Sequence, residues 1–139
     1  MANNELMAME NIQLGYTFTT FSGESRKDKA KALNALNAEG IESLSFHQGE
    51  TIMMRDVVAH AVRMADEHGE MNTALRIVII DENGVKYGCV SKGVAESINK
   101  IFGVFGMPHT WEEALPVVPK RVKWGKGMRL VLEVDESKL

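Results

Sequence analysis

One cysteine, three prolines and no long apolar run distinguish this 139-residue chain. Cys89 has no second cysteine to pair with, so the chain holds no internal disulfide and fits a reducing compartment. No apolar stretch approaches the roughly 20 residues that a helix needs to cross a bilayer. The opening MANNELMAMENIQ has neither a basic leader nor an apolar stretch, so no secretion signal is read there. Aromatic residues make up only 6% of the chain, so a surface that must stack on flat ligands has few side chains to draw on. His47, His60, His68 and His109 are scattered, without a cysteine pair or an HExxH helix, and give no metal-ligand spacing. Gly84, Gly88 and Gly93 lack the spacing and the following lysine of a phosphate loop. Cys89 falls in an apolar strand, where cysteine behaves as a small hydrophobe. No catalytic residue, metal or cofactor is implied.

What remains is the composition of an ordinary soluble domain, 45% hydrophobic and 25% charged, long enough for one core and not for two. The net charge of −3 argues mildly against a general polyanion binder. Its distribution does not. Lys120, Arg121, Lys123, Lys126 and Arg129 place five cations within ten residues that contain no acid. The rest of the chain is left with 11 cations against 19 acids. A basic segment on an acidic body is a local electrostatic footprint. The plainer alternative is a charged edge that discourages strand-to-strand aggregation.

The pattern along the chain is mostly β. Met1–Glu10 reads as a flexible flank, and Asn11–Phe21 as a strand with Ile12, Leu14, Tyr16 and Phe18 on one face. Ser25–Ala38 reads as a helix stopped by Gly40, and Ile41–Gly49 leads into the next strand. Glu50–Met64 fits a strand whose alternation puts Ile52, Met54, Val58, His60, Val62 and Met64 together; a helix is the competing reading. Leu75–Ile80 and Val85–Val90 form a hairpin around Asn83-Gly84, a dipeptide suited to the two positive φ angles of a type I′ turn. Ser91 caps a helix with Val94, Ile98, Ile101, Phe102 and Phe105 on its apolar stripe, and Gly106 and Pro108 end it. Val117–Trp124 and Met128–Val134 make a closing hairpin whose glycines allow a tight turn. Strands, one helix and a final hairpin give a mainly β fold with one or two helices, in the element order of a five-stranded oligonucleotide-binding (OB) barrel. The domain is expected over 11–134, followed by a short C-terminal end over 135–139.

The segments GETI…DVV, RIVIIDENGVKYGCVSKGVAESINKIFGVFGMPHTW and PVVPKRVKWGKGMRLVLEV carry a resemblance as well. Over Thr17–Val134 the chain resembles the single-stranded-DNA-binding proteins of tailed bacteriophages. That resemblance implies an OB-like domain that coats replication intermediates without strong sequence preference. Many such proteins end in a long acidic tail with an apolar tip. This chain ends in Asp135-Glu136-Ser137-Lys138-Leu139, which leaves tail-mediated recruitment of a polymerase or helicase without its usual carrier.

Single-strand binding needs cations to follow the phosphates and flat side chains to stack on bases. Trp124, inside the basic run, is one stacking candidate and Tyr87, beside Lys86, another; burial with a satisfied hydroxyl is the alternative for Tyr87. Phe21 is the outward-facing phenylalanine of the first strand, Phe46 has no assigned direction, and Phe102 and Phe105 belong to the core. Arg55, Arg63 and Arg76 fall within strands and are phosphate contacts unless they pair with acids across the sheet. Lys86, Lys120, Arg121, Lys123 and Lys126 complete the candidate set. The expected partner is single-stranded DNA in the cytoplasm of a bacterial host, with phage replication proteins and self-association left open and no membrane contact. A protein–protein adaptor on the same barrel is the rival function. An enzyme ranks last, for want of any constellation.

Overall fold

The computed structural model describes residues 15–21 and 25–139. Its elements run β1 (Thr17–Thr19), α1 (Arg26–Leu36), β2 (Glu42–Ser43), β3 (Ile52–Ala65), β4 (Met71–Asp81), β5 (Lys86–Cys89), α2 (Lys92–Phe105), β6 (Leu115–Trp124) and β7 (Gly127–Val134). Short 3-10 turns occupy Leu44–His47, Pro108–Thr110 and Glu136–Lys138. The strands form one sheet in the order β2-β5-β4-β3-β6-β7. β1 pairs with β3 beyond the stretch taken by β6. Only the β2–β5 pairing is parallel. The sheet curls into a half-barrel, so the fold is mainly β, with two helices, and OB-like. Among the described residues there are seven strands where five were expected, one of them only two residues long.

Each face of the sheet is covered by one helix. On the inner face Ile52, Met54, Val57, Ala59, Leu75, Ile77, Ile79, Val117, Leu130 and Leu132 pack with Val94, Ile98, Ile101 and Phe102 of α2. On the outer face Val58, Val78 and Ile80 pack with Ala32, Ala35 and Leu36 of α1. Fully burying one such aliphatic or aromatic side chain is worth about 1.5–3 kcal/mol, so the larger inner cluster dominates stability. Ser25 caps α1 by accepting from the Asp28 N–H at 3.1 Å. Ser91 caps α2 by accepting from the Val94 N–H at 3.2 Å, and Gly106 ends it with φ 80.

Four local readings need correction. The alternation read along β3 breaks at a bulge: Met54 pairs with Asp81 and Asp56 with Ile80, so Arg55 is an extra residue. Ile52 and Met54 face inward as expected, but after the bulge Val57 and Ala59 do, while Val58 turns to α1. The Asn83-Gly84 turn is not type I′, because only Gly84 has positive φ. A hydrogen bond from the Gly84 N–H to the Asp81 carbonyl closes it, and the Asp81 carboxylate accepts from the N–H groups of Asn83 and Val85. Phe105 is not core: the last turn of α2 overhangs the inner cluster and leaves this ring 40% exposed. Ile41–Gly49 yields only the two residues of β2 before turning through a 3-10 segment. Ile12 and Leu14, expected in the first strand, lie outside the described residues, as does Met1–Glu10.

Candidate nucleic-acid interface

Directly paired residues of an antiparallel hairpin share a face. In β6–β7 the inner face therefore reads Val117 with Val134, Pro119 with Leu132, Arg121 with Leu130, and Lys123 with Met128. Toward its tip the hairpin passes from core to cations on one surface. Trp124 pairs with Gly127 around the two-residue turn Gly125-Lys126. Only Gly125 has positive φ, at 57°, which is the glycine-first pattern of a type II′ turn; Gly127 is an ordinary strand residue.

The hairpin tip comes up to the opposite edge of the curled sheet, and a groove of about 470 Å³ lies between them. Ser43 and Ser45 line it from the β2 side, Cys89 to Gly93 from the junction of β5 and α2, and Arg121, Trp124 and Met128 to Leu130 from the hairpin. Trp124 is 59% exposed. The Arg129 guanidinium carbon lies 3.6 Å from the centre of the Trp124 ring, a cation–π contact. Arg129 Nη2 donates to Glu96 Oε2 at 2.5 Å. α2 is itself tied to β7: Ser91 Oγ donates to the Leu130 carbonyl at 3.1 Å, and Ser97 Oγ accepts from the Leu132 N–H at 3.0 Å. Arg121, Lys123 and Lys126 are exposed and make no ion pair among the described residues, so their charge is uncompensated. Burial pushes the Cys89 thiol up to about 12, so it is not a thiolate at neutral pH and offers no nucleophile.

The other candidates stand elsewhere. Lys120 pairs with Glu133 at 2.6 Å, on the face opposite Arg121. Lys86 Nζ donates to the Gly84 carbonyl at 3.3 Å. Tyr87 packs on the inner cluster with its ring edge-on to His47, 4.9 Å between centres. Arg55 donates to the carbonyls of Pro108 and Trp111 and anchors the loop after α2. Arg76 donates to the Leu36 carbonyl at the end of α1, against which Phe21 also packs. Arg63 is exposed near the far end of β3. The structure thus brings Arg121 and Trp124 into one groove and leaves Phe21, Arg55, Arg63, Arg76, Lys86, Tyr87, Lys120, Lys123 and Lys126 outside its lining.

Several groove residues carried no sequence signal of their own. Ser43 and Ser45 reach it only because β2 and β5 are neighbours, and Lys92 because it follows β5 at the start of α2. Arg129 stood out as part of the basic run, but nothing in the sequence tied it to Trp124. Phe46, next to Ser45, is 83% exposed and is the most solvent-open of the large apolar side chains among the described residues. His47 beside it meets Glu42 at 2.8 Å and Glu50 at 3.1 Å. The hydrogen bond to Glu50 chiefly raises its pKa, with Glu42 adding to the effect and partial burial opposing it.

The groove joins an exposed ring, a guanidinium fixed on it, and the cations Arg121 and Lys92, which make no ion pair among the described residues. Among the described residues no cluster of His, Cys, Asp and Glu could hold a metal ion, and no helix is long and apolar enough to cross a membrane. No curated protein and no solved structure matches the chain. The family model described as phage single-stranded DNA-binding protein does match, over residues 11–134, a span that takes in every strand of the sheet and the whole of the groove. The chain belongs to the phage single-stranded DNA-binding protein family.

Proposed function

We propose that the protein coats single-stranded DNA during phage DNA replication, in the cytoplasm of the bacterial host, with little preference for sequence. The strand lies along the β6–β7 hairpin and the groove beside it. The observation that carries this reading is the exposed Trp124 ring, backed by Arg129 and sharing one groove with Arg121. Stacking on a ring and pairing of phosphates with cations do not discriminate between bases. The role is stoichiometric: the protein shields the strand and keeps it open, with no bond made or broken. Residues 11–134 act as one binding domain. We assign a second stacking role to Phe46, which is exposed and follows the groove residue Ser45 in sequence.

Oligonucleotide titration followed by tryptophan fluorescence tests the proposal. Oligo-dT of increasing length should quench the signal until the length fills the site, and oligo-dA and mixed sequences should bind within a few-fold of it. Trp124→Ala should weaken binding by about 1–3 kcal/mol, the worth of one base stack. No response to any single strand would favour the adaptor role instead. Unaltered affinity in Trp124→Ala would move the strand to another surface.

A further inference from the structure

Trp124 sits at a hairpin tip beside Gly125, with little of its own packing to fix it, and is 59% exposed. Its fixed neighbour is Arg129, whose guanidinium covers one face of the ring. Arg129 is in turn held by Glu96, on the second turn of α2. That turn is the best anchored part of the helix, through the Ser91–Leu130 and Ser97–Leu132 hydrogen bonds and the close approach of Gly93 to Leu130. The chain of contacts from Glu96 to Arg129 to Trp124 therefore ties the orientation of the ring to the rigid body of the protein. It leaves the opposite face of the ring to solvent.

We propose that Glu96, although an acid at the margin of a DNA-binding groove, is a positioning residue that favours binding: it holds Arg129 flat under Trp124 so that the free face of the ring is presented to a base. The inference rests on the hairpin being the DNA-contacting surface. Charge alone predicts the opposite, because Glu96 neutralises a cation and repels phosphate, so its removal should tighten binding at low salt. The sign of the effect separates the two accounts.

The experiment compares wild type, Glu96→Ala, Glu96→Gln and Trp124→Ala for oligo-dT affinity at two salt concentrations and for tryptophan fluorescence anisotropy without DNA. Glu96 is exposed, so the substitutions should leave the fold intact, and a thermal melt checks this. Loss of an exposed ion pair that preorganises a stacking ring should weaken the binding of Glu96→Ala by about two- to fivefold. Its free anisotropy should fall as the Trp124 ring gains motion. Glu96→Gln keeps an acceptor for Arg129 and should restore most of both. Equal tightening in Glu96→Ala and Glu96→Gln, with anisotropy unchanged, would overturn the proposal in favour of simple charge repulsion. If Trp124→Ala itself binds like wild type, the placement of DNA on this hairpin fails first. If Trp124→Ala binds weakly and Glu96→Ala does not, only the role of Glu96 fails.

Discussion

Gly93 at the start of α2 lies so close to the backbone of Leu130 in β7 that a Cβ built on the glycine would overlap the Leu130 carbonyl oxygen. Alanine is ordinarily the better helix residue by about 1 kcal/mol. Here Gly93→Ala should destabilise instead, by about 1–3 kcal/mol, because helix and strand must part to admit the methyl group. Thermal or urea denaturation reads this directly. A melting temperature equal to or above wild type would mean that the two backbones are not held at this spacing in solution.

Phe102 stacks on Phe18, 6.1 Å between ring centres, and leans on Trp111. Phe102→Ala should open a cavity in the inner cluster and cost about 3–5 kcal/mol. The loss should appear as poor solubility or a low melting temperature. A stable Phe102→Ala protein that had lost DNA affinity selectively would place this helix face at the ligand.

Arg121, Lys123 and Lys126 carry the uncompensated charge of the hairpin. Replacing all three with Gln should reduce the slope of log K against log salt by about 2, at near 0.7 per phosphate neutralised on a single strand. The melting temperature should hardly change. An unchanged slope would mean that these side chains meet solvent and not phosphate.

Both ring nitrogens of His47 face carboxylate oxygens, so both hydrogen bonds are satisfied only by the protonated ring. The folded pKa of His47 is raised above its ordinary value of 6.5. A raised histidine pKa gives stabilisation that is fully present below the unfolded pKa and lost as pH rises through the folded one. The difference in stability between wild type and His47→Gln should therefore be largest in mild acid and shrink on passing above neutrality. His60 acts in the opposite sense: burial, with the charge of Arg76 beside it, lowers its pKa. The wild-type curve alone mixes the two, and the difference between proteins isolates His47. A gap that widens with rising pH would refute the arrangement.

Much of the scaffold was legible because local signals agreed. The stripe of α2, its Ser91 cap and its Gly106 stop all point to one helix, and the closing hairpin follows from alternation on either side of Gly125. For β3 periodicity fits strand and helix alike, and the bracketing Gly49 and polar ADEHGEMN turn favour the strand, along which alternation is then read. Periodicity could not foresee the extra residue at Arg55, since a bulge leaves composition untouched and shows only against a partner strand. It placed Phe105 in the core because the spacing continues the stripe, whereas the depth of the core, a tertiary property, ends one turn sooner. The groove was legible from one side alone. Its hairpin wall is a visible run of cations around a tryptophan. Its other wall comes from Ser43, Ser45 and Lys92, which meet only through the parallel pairing of β2 with β5.

The bulge at Arg55 acts as a dislocation in the sheet. Before it, the even-numbered residues of β3 face the large core; after it, the odd-numbered ones do. Run regularly with Arg55 kept, the strand could hold only one half in phase; with Arg55 deleted, Met54 stays inward, Asp56 outward and Val57 inward, and both halves keep their faces. The loop held by the Arg55 guanidinium at Pro108 and Trp111 would be released at the same time. The single extra residue is absorbed at the bulge without changing the inward face of either half, and its side chain fastens the segment leading from α2 into the β6–β7 hairpin.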